Sequence, residues 1–168
     1  MSASTGAPVA RAAAPLQRAG PRPVVPDREG RTVTGMATPT ILLADNDRAV
    51  SSLLVELLKR FGVTAVPVYD GEDAKAKGRE PGLAAIVCDL DMPRASGVEV
   101  LESLVDLPAP PPAIVISGYI DEAVRARLAR LPFVREILRK PFDLLAFART
   151  VRSIAEASAG GAATGEGA

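Results

Sequence analysis

The stretch AAIVCDLDMPRASG, residues 84–97, is an apolar run that stops at Asp89 and continues as a loop containing Pro93 and Gly97. A short apolar run bounded by turn residues is typical of a strand that is buried on both faces. The packing of such a strand does not require a carboxylate at its end, which makes Asp89 a candidate functional residue. We therefore predict a buried strand at residues 84–88 that presents Asp89 at its carboxyl end.

Four other short apolar runs along the chain have similar lengths and similar turn residues at their borders. The five predicted strands cover residues 40–44, 63–68, 84–88, 113–116 and 133–138. Near-continuous apolar character, without regular polar alternation, is typical of parallel strands that are covered by helices on both faces.

Segments with a helical period separate these strands. In the first of them, apolar residues recur at steps of three and four between Val50 and Phe61, and Gly62 follows at the position that commonly ends a helix. Weaker patterns predict four more helices, at residues 70–78, 97–105, 121–129 and 143–154.

Five strands that alternate with five helices predict an α/β fold with a doubly wound parallel sheet. The right-handed crossover rule leaves few topologies, and we expect the flavodoxin-like strand order 2-1-3-4-5. Ligands bind outside the carboxyl ends of the strands in such sheets, so the residues that follow each strand are the candidates for chemistry.

The composition narrows the chemistry further. Twenty basic and twenty acidic residues leave no net charge, so no overall field attracts nucleic acid or an anionic membrane. The lone Cys88 and the lack of histidine exclude an internal disulfide, Cys/His zinc sites and histidine acid–base catalysis. No apolar run approaches the roughly 20 residues that cross a bilayer, so we expect a cytoplasmic protein without a membrane partner.

Both ends of the chain differ from its middle. Residues 1–38 are rich in Ala, Pro and Arg, have no apolar period and are expected to form a disordered basic arm. Residues 156–168 are Ala/Gly-rich and are expected to be a disordered tail, which leaves residues 39–155 as the folded domain. Met36 is an alternative start to Met1.

Polar side chains follow four of the predicted strands. Asp45, Asn46 and Asp47 follow the first, Asp89 the third and Ser117 the fourth, and the fifth leads to Lys140. Carboxylates that share a small site repel each other unless a cation lies between them, and Mg²⁺ suits a site with few protein ligands. Lysine and serine add a positive charge and a hydrogen-bond donor for a phosphate oxygen. Together these groups are suited to phosphoryl transfer.

Four motifs in this order resemble the receiver domain of response regulators, over about residues 40–155. They are ILLADND at residues 41–47, DLDMPRASG at 89–97, ISG at 116–118 and KPF at 140–142. The resemblance implies that Asp89 accepts a phosphoryl group from a phosphohistidine of a sensor histidine kinase or phosphotransfer protein. It also implies that Ser117 and Lys140 contact the phosphoryl group.

The same resemblance implies a Mg²⁺ site. Asp45 and Asp89 would ligate the ion with their carboxylates, and Asp91 with its backbone carbonyl. Asn46 stands where the family usually has a second acidic ligand, and an amide oxygen brings no charge, so the affinity for Mg²⁺ should be lower. Ile137 stands where the family tends to have an aromatic residue that relays the signal. Tyr119 is a possible substitute for that residue, although an exposed loop tyrosine is the simpler interpretation.

Structural roles compete with these functional ones. Asp45 and Asp47 are suited to capping the first helix, and Cys88 is most simply a buried apolar residue. At the level of function, the chain could be a degenerate receiver that binds partners without phosphorylation. A phosphatase of the haloacid-dehalogenase type is a third possibility, because Asp89-Leu90-Asp91 resembles its D-x-D motif.

The favoured hypothesis is a single-domain response regulator. After Lys140 only one helix and a low-complexity tail remain, so we expect no DNA-binding module and an output through an unknown downstream protein. The chain would not be an enzyme beyond its own phosphorylation and dephosphorylation.

Overall fold

A computed structural model describes residues 38–161. The predicted basic arm lies outside the described residues except for Thr38, and so do residues 162–168 of the predicted tail. None of the helices in the described part combines the length and the apolar composition that crossing a bilayer requires.

The structure confirms the predicted alternation of strands and helices. The strands are β1 Thr40–Ala44, β2 Thr64–Val68, β3 Ala85–Asp89, β4 Ala113–Ser117 and β5 Val134–Arg139. The helices are α1 Arg48–Arg60, α2 Gly71–Gly78, α3 Gly97–Glu102, α4 Glu122–Leu128 and α5 Leu144–Gly161. All strands pair in parallel in one sheet of order β2-β1-β3-β4-β5, which is the predicted flavodoxin-like order.

The core has two layers, one on each face of the sheet. Alternate residues of a strand enter opposite layers, so that Leu42 and Ile86 pack in one layer while Leu43 and Val87 pack in the other. Every residue of β3 and β4 is buried, whereas β2 and β5 at the sheet edges are partly exposed. Burial on both faces explains why the central strands consist almost entirely of apolar residues.

Two helices differ from their predicted lengths. Helix α3 ends at Glu102 rather than at residue 105, and the hydroxyl of Ser103 donates to the carbonyl of Val100, a local bond that competes with the helical pattern. Helix α5 continues past Ile154, so residues 155–161, most of them predicted as tail, are helical. The fully buried Ala155 joins the core there, and alanine favours a helix.

The first turn of α1 follows the strand end that was expected to carry chemistry. Asp47 is the N-cap of α1, and its Oδ1 accepts hydrogen bonds from the backbone N–H of Ala49 at 2.9 Å and Val50 at 3.0 Å. Such a cap contributes about 1 kcal/mol. The capping role predicted for Asp47 is therefore confirmed.

Candidate functional site

Two buried carboxylates lie side by side at the carboxyl edge of the sheet. Ala44 pairs with Cys88 across β1 and β3, so Asp45, which follows β1, lies beside Asp89, the last residue of β3. The exposed fraction is 0% for Asp45 and 4% for Asp89. Buried carboxylates that are adjacent require a positive partner, because water cannot solvate them.

Lys140 supplies that partner. Its Nζ lies 2.6 Å from Asp89 Oδ2 and 3.2 Å from Asp45 Oδ2, across 51 and 95 residues of sequence. The lysine follows β5, and its backbone N–H donates to the carbonyl of Ser117 at 2.8 Å. We call Asp45, Asp89 and Lys140 the acceptor cluster.

The carboxylates of the acceptor cluster shift the pKa of Lys140. Partial burial lowers the pKa of Lys140, but the hydrogen bond to Asp89 and the charges of Asp89 and Asp45 outweigh burial and raise the pKa above its ordinary value. Lys140 is therefore a fixed positive charge at neutral pH, and its side chain is still 31% exposed at the mouth of the site.

The second oxygen of each carboxylate is held by the backbone of its own loop. Asp45 Oδ1 accepts from the N–H of Asp47 at 2.8 Å, and Asp89 Oδ1 accepts from the N–H of Asp91 at 3.0 Å. These bonds fix both carboxylate planes, so the acceptor cluster is ordered by interactions that do not need a ligand.

Ser117 ends β4 at the same edge of the sheet, with its neighbour Ile116 paired to Asp89. It is 3% exposed, and its hydroxyl binds the backbone of Tyr119 rather than the acceptor cluster. The hydroxyl donates to the carbonyl of Tyr119 at 2.6 Å and accepts from its N–H at 3.2 Å. We call Ser117, Gly118 and Tyr119 the hydroxyl loop.

The loop between β3 and α3 is fixed by close backbone packing. A Cβ atom at Gly97 would overlap the carbonyl oxygen of Asp89, so only glycine fits where the loop returns to the strand end. Arg94 has a φ of 70° and its Nη1 lies 3.0 Å from Asp70 Oδ2. The sequence pattern did not reveal this ion pair, because nothing local links residues 24 positions apart.

The predicted metal ligands contribute oxygen atoms only. Asp45 and Asp89 are in place, while Asn46 and Asp91 are exposed on the loops that follow. Within residues 38–161 no three acidic or cysteine side chains converge as a metal site. The predicted Mg²⁺ ligands do not include three such side chains, because they are two carboxylates, one amide and one backbone carbonyl. Such a set fits a hard divalent cation that keeps several waters.

Two other residues singled out from the sequence lie near the site. Cys88 is fully buried, and burial together with the charges of Asp89 and Asp45 raises the pKa of its thiol, so it stays protonated. Ile137 is partly buried on β5 and packs against the core layer that contains Val115.

A comparison with known protein families identifies the family of the chain. The family model of the response regulator receiver domain matches residues 41–152, which is more than half of the chain. The chain belongs to this family. It is a receiver domain of a two-component response regulator, a family whose members generally signal rather than act as enzymes and typically bind Mg²⁺.

Curated relatives are longer than this receiver domain. Response regulator RR06 of Streptococcus pneumoniae is 27% identical over 114 residues, which are 68% of this chain and 52% of that protein. Transcriptional regulatory protein PrrA of Mycobacterium bovis is 30% identical over 122 residues, 72% of this chain and 52% of that protein. The Regulator of RpoS of Escherichia coli K12 is 34% identical over 103 residues, 60% of this chain and 30% of that protein. The chain thus spans about half of the length of two of these relatives and less of the third.

Solved structures share the fold. A CheY-like receiver domain protein from Methanospirillum hungatei has a TM-score of 0.66 at 18% identity, covering 71% of this chain and 95% of that one. A CheY-like receiver domain from Methylobacillus flagellatus has a TM-score of 0.57 at 25% identity, covering 69% of this chain and 98% of that one.

Proposed function

We propose that this receiver domain accepts a phosphoryl group on Asp89 from a phosphohistidine of a sensor histidine kinase or phosphotransfer protein. The observation that carries the proposal is the position of Lys140, whose ammonium bridges the two buried carboxylates at 2.6 and 3.2 Å. A carboxylate held beside a fixed cation at the carboxyl edge of a parallel sheet is suited to phosphoryl transfer.

In the proposed reaction a carboxylate oxygen of Asp89 attacks the phosphorus atom. The new O–P bond forms as the P–N bond to the partner's imidazole breaks, and the bonding electrons leave with the imidazole. Lys140 then pairs with the acyl phosphate and balances charge that accumulates on the phosphoryl oxygens. Ser117 donates its hydroxyl to a phosphoryl oxygen after it releases the carbonyl of Tyr119.

The ligand set for Mg²⁺ would be the carboxylates of Asp45 and Asp89, the amide of Asn46 and the backbone carbonyl of Asp91. A bound Mg²⁺ supplies further neutralisation of phosphoryl charge and a template for the incoming group. The residues themselves orient the Asp89 carboxylate, because the N–H of Asp91 and the ammonium of Lys140 each hold one of its oxygens.

We further propose that the phosphorylated domain signals through contact with a downstream protein in the cytoplasm. PrrA and ZraR are transcriptional regulatory proteins by name, so some relatives have a transcriptional output. An output through protein contact requires only that phosphorylation changes a surface of the domain.

A second candidate is an adaptor that binds partners without phosphorylation. Asn46 in place of an acidic ligand and Ile137 in place of an aromatic residue favour it, because both substitutions weaken parts of the family's phosphorylation response. The match to the receiver family over residues 41–152 favours both candidates over a phosphatase of the haloacid-dehalogenase type.

Acetyl phosphate and Mg²⁺ distinguish these candidates. Wild type should gain an acid-labile phosphoryl group, and Asp89→Ala should gain none under the same conditions. Asp91→Ala is the matched control, because it removes a neighbouring carboxylate but keeps the backbone carbonyl, and it should remain competent. If wild type gains no phosphoryl group, the adaptor function is favoured over phosphorylation of Asp89. Steady turnover of phosphate monoesters would instead support a hydrolase.

A further inference from the structure

The turn from β2 into α2 contacts both loops that carry the predicted Mg²⁺ ligands. We call Tyr69, Asp70 and Gly71 the β2–α2 junction. Just before it, the carbonyl of Val68 accepts a hydrogen bond from the N–H of Asp45 at 3.1 Å. The junction therefore borders the site, although the proposed reaction uses none of its residues.

The first contact of the β2–α2 junction is with the loop between β3 and α3. The N–H of Gly71 donates to the carbonyl of Pro93 at 3.0 Å. The next residue of the loop, Arg94, places its Nη1 3.0 Å from Asp70 Oδ2. The packing is also close, because a Cβ atom at Gly71 would overlap the carbonyl oxygen of Ala95. Three consecutive residues of the loop are thus held by the junction.

Arg94 has an unusual backbone conformation at the centre of this contact. Its φ of 70° lies in the left-handed region, which is unfavourable for a residue with a Cβ atom. Its guanidinium binds Asp70, whose other oxygen accepts from the N–H of Asp73 at 2.9 Å in the first turn of α2. Asp70 therefore links the strained turn at Arg94 to the start of a helix.

The same loop is fixed on its other side, at Asp91. The N–H of Asp91 donates to Asp89 Oδ1 at 3.0 Å, and two residues later the carbonyl of Pro93 binds the junction. The backbone carbonyl of Asp91, which is the predicted Mg²⁺ ligand, therefore lies between two attachment points. Loss of either attachment would give this carbonyl more freedom to move.

The second contact of the β2–α2 junction is with the start of α1. The guanidinium carbon of Arg48 lies 4.0 Å from the centre of the Tyr69 ring, which is a cation–π contact. Arg48 is the first residue of α1 and follows the predicted ligand Asn46 by two positions. The junction thus attaches to both ligand loops, through Tyr69 to one and through Asp70 to the other.

We propose that the β2–α2 junction positions the Mg²⁺ ligands, with Asp70 acting through Arg94 to hold the backbone carbonyl of Asp91. Asp70 and Arg94 are positioning residues rather than ligands, and this role rests on the Mg²⁺ site proposed above. Mg²⁺ requires near-octahedral ligand geometry at short distances, so small shifts of a ligand weaken binding. Because Asn46 contributes no charge, the affinity in this chain depends more strongly on ligands that are held in place before the ion binds.

Arg94→Met tests the proposal through the sign of its effect. Loss of a positive charge near a cation site would by itself tighten Mg²⁺ binding, whereas loss of a positioning contact should weaken it. We expect the dissociation constant for Mg²⁺ to rise about threefold in calorimetric titration, which is within the range of an exposed ion pair. Arg94→Lys keeps a cation that can reach Asp70, so it should bind Mg²⁺ within about 1.5-fold of wild type.

Arg79→Met is the matched control. Arg79 lies at the other end of α2, where its guanidinium pairs with Asp106 at 3.0 Å, so this variant also removes one exposed ion pair and one positive charge. Its affinity for Mg²⁺ should stay within about 1.5-fold of wild type. Urea unfolding should show similar small losses of stability in both variants. Equal weakening of Mg²⁺ binding in the two variants would overturn the proposal.

Amide hydrogen exchange in Mg²⁺-free protein measures the positioning of the loop without the ion. The N–H of Asp91 should exchange about threefold faster in Arg94→Met than in wild type, because the loop opens more often. In Arg79→Met the same N–H should exchange at the wild-type rate. An unchanged rate in Arg94→Met would contradict the proposed role of Asp70 and Arg94.

The positioning role and the proposed metal site fail in different ways. If wild type binds Mg²⁺ and Arg94→Met binds it equally well or more tightly, the positioning role is overturned and the phosphoacceptor role of Asp89 stays intact. If wild type binds no Mg²⁺, the metal site itself is contradicted, and the positioning role falls with it.

Discussion

The acceptor cluster and the hydroxyl loop lie at the same edge of the sheet, but their polar groups find partners in different ways. In the acceptor cluster, Lys140 binds Asp45 and Asp89 across long stretches of sequence, and both carboxylates are buried. In the hydroxyl loop, the hydroxyl of Ser117 binds the backbone of Tyr119, two residues away.

The two regions therefore differ in how ready they are for a phosphoryl group. The acceptor cluster already has its charges in place, so little rearrangement is needed to stabilise new negative charge. The hydroxyl loop must first exchange a local hydrogen bond for one to the ligand. Catalysis should therefore depend mainly on the first region and signalling mainly on the second.

Removal of the cation should have the largest effect. We expect Lys140→Met to slow phosphorylation by acetyl phosphate about 100-fold, since it removes the preorganised positive charge beside Asp89. Quenched-flow or gel assays of the acid-labile product measure this rate. Arg139→Met is the matched control: it removes the adjacent exposed charge and should leave the rate within about twofold. If both variants were phosphorylated equally slowly, the total positive charge near the site, and not the position of Lys140 in the acceptor cluster, would determine the rate.

Removal of the hydroxyl should have a smaller effect on the same rate. Ser117→Ala loses one charge-assisted hydrogen bond to the phosphoryl group, which corresponds to about a tenfold slower reaction. Ser117→Thr keeps the hydroxyl and should stay within about threefold of wild type. A loss in Ser117→Ala as large as that in Lys140→Met would contradict the division between the two regions.

The side chain at position 46 should affect the affinity of the acceptor cluster for Mg²⁺. We expect Asn46→Asp to tighten Mg²⁺ binding about fivefold, because a carboxylate replaces an uncharged amide. Calorimetric titration measures the affinity. Asp47→Asn is the control one residue away; its side chain can still cap α1, and the affinity should change less than about twofold. If Asn46→Asp binds Mg²⁺ no better than wild type, this side chain does not contact the ion.

Stability at high pH gives the smallest expected effect. Because the pKa of Lys140 is raised in the folded protein, its stabilising charge is fully present at neutral pH and is lost as the pH rises through that pKa, above the ordinary value of 10.5. Urea unfolding measures how much higher the free energy of unfolding is for wild type than for Lys140→Met. In that high pH range the difference should shrink by less than about 1 kcal/mol, since the lysine is partly exposed. A Lys140→Arg variant stays charged at high pH. If its free energy of unfolding, relative to Lys140→Met, declines with pH as that of wild type does, lysine titration is not the cause.

The sequence predicted the acceptor cluster better than the hydroxyl loop for a physical reason. Apolar runs predict parallel strands, and parallel strands bring their carboxyl ends to one edge, so Asp45, Asp89 and Lys140 were expected to meet. The hydrogen bond from Ser117 to Tyr119 depends on a local loop conformation that no periodicity encodes. The length of α5 was underestimated because burial of Ala155 is a tertiary effect that an Ala/Gly-rich sequence does not reveal.

Asp89 itself should carry the phosphoryl group. Borohydride reduction converts an aspartyl phosphate to homoserine, so mass spectrometry of peptides from the reduced, phosphorylated protein identifies the residue that was modified. We expect homoserine at position 89 and at no other acidic residue. Homoserine at position 45 or 91, or none after incubation with Mg²⁺ and acetyl phosphate, would contradict the role of Asp89 as the phosphoryl acceptor.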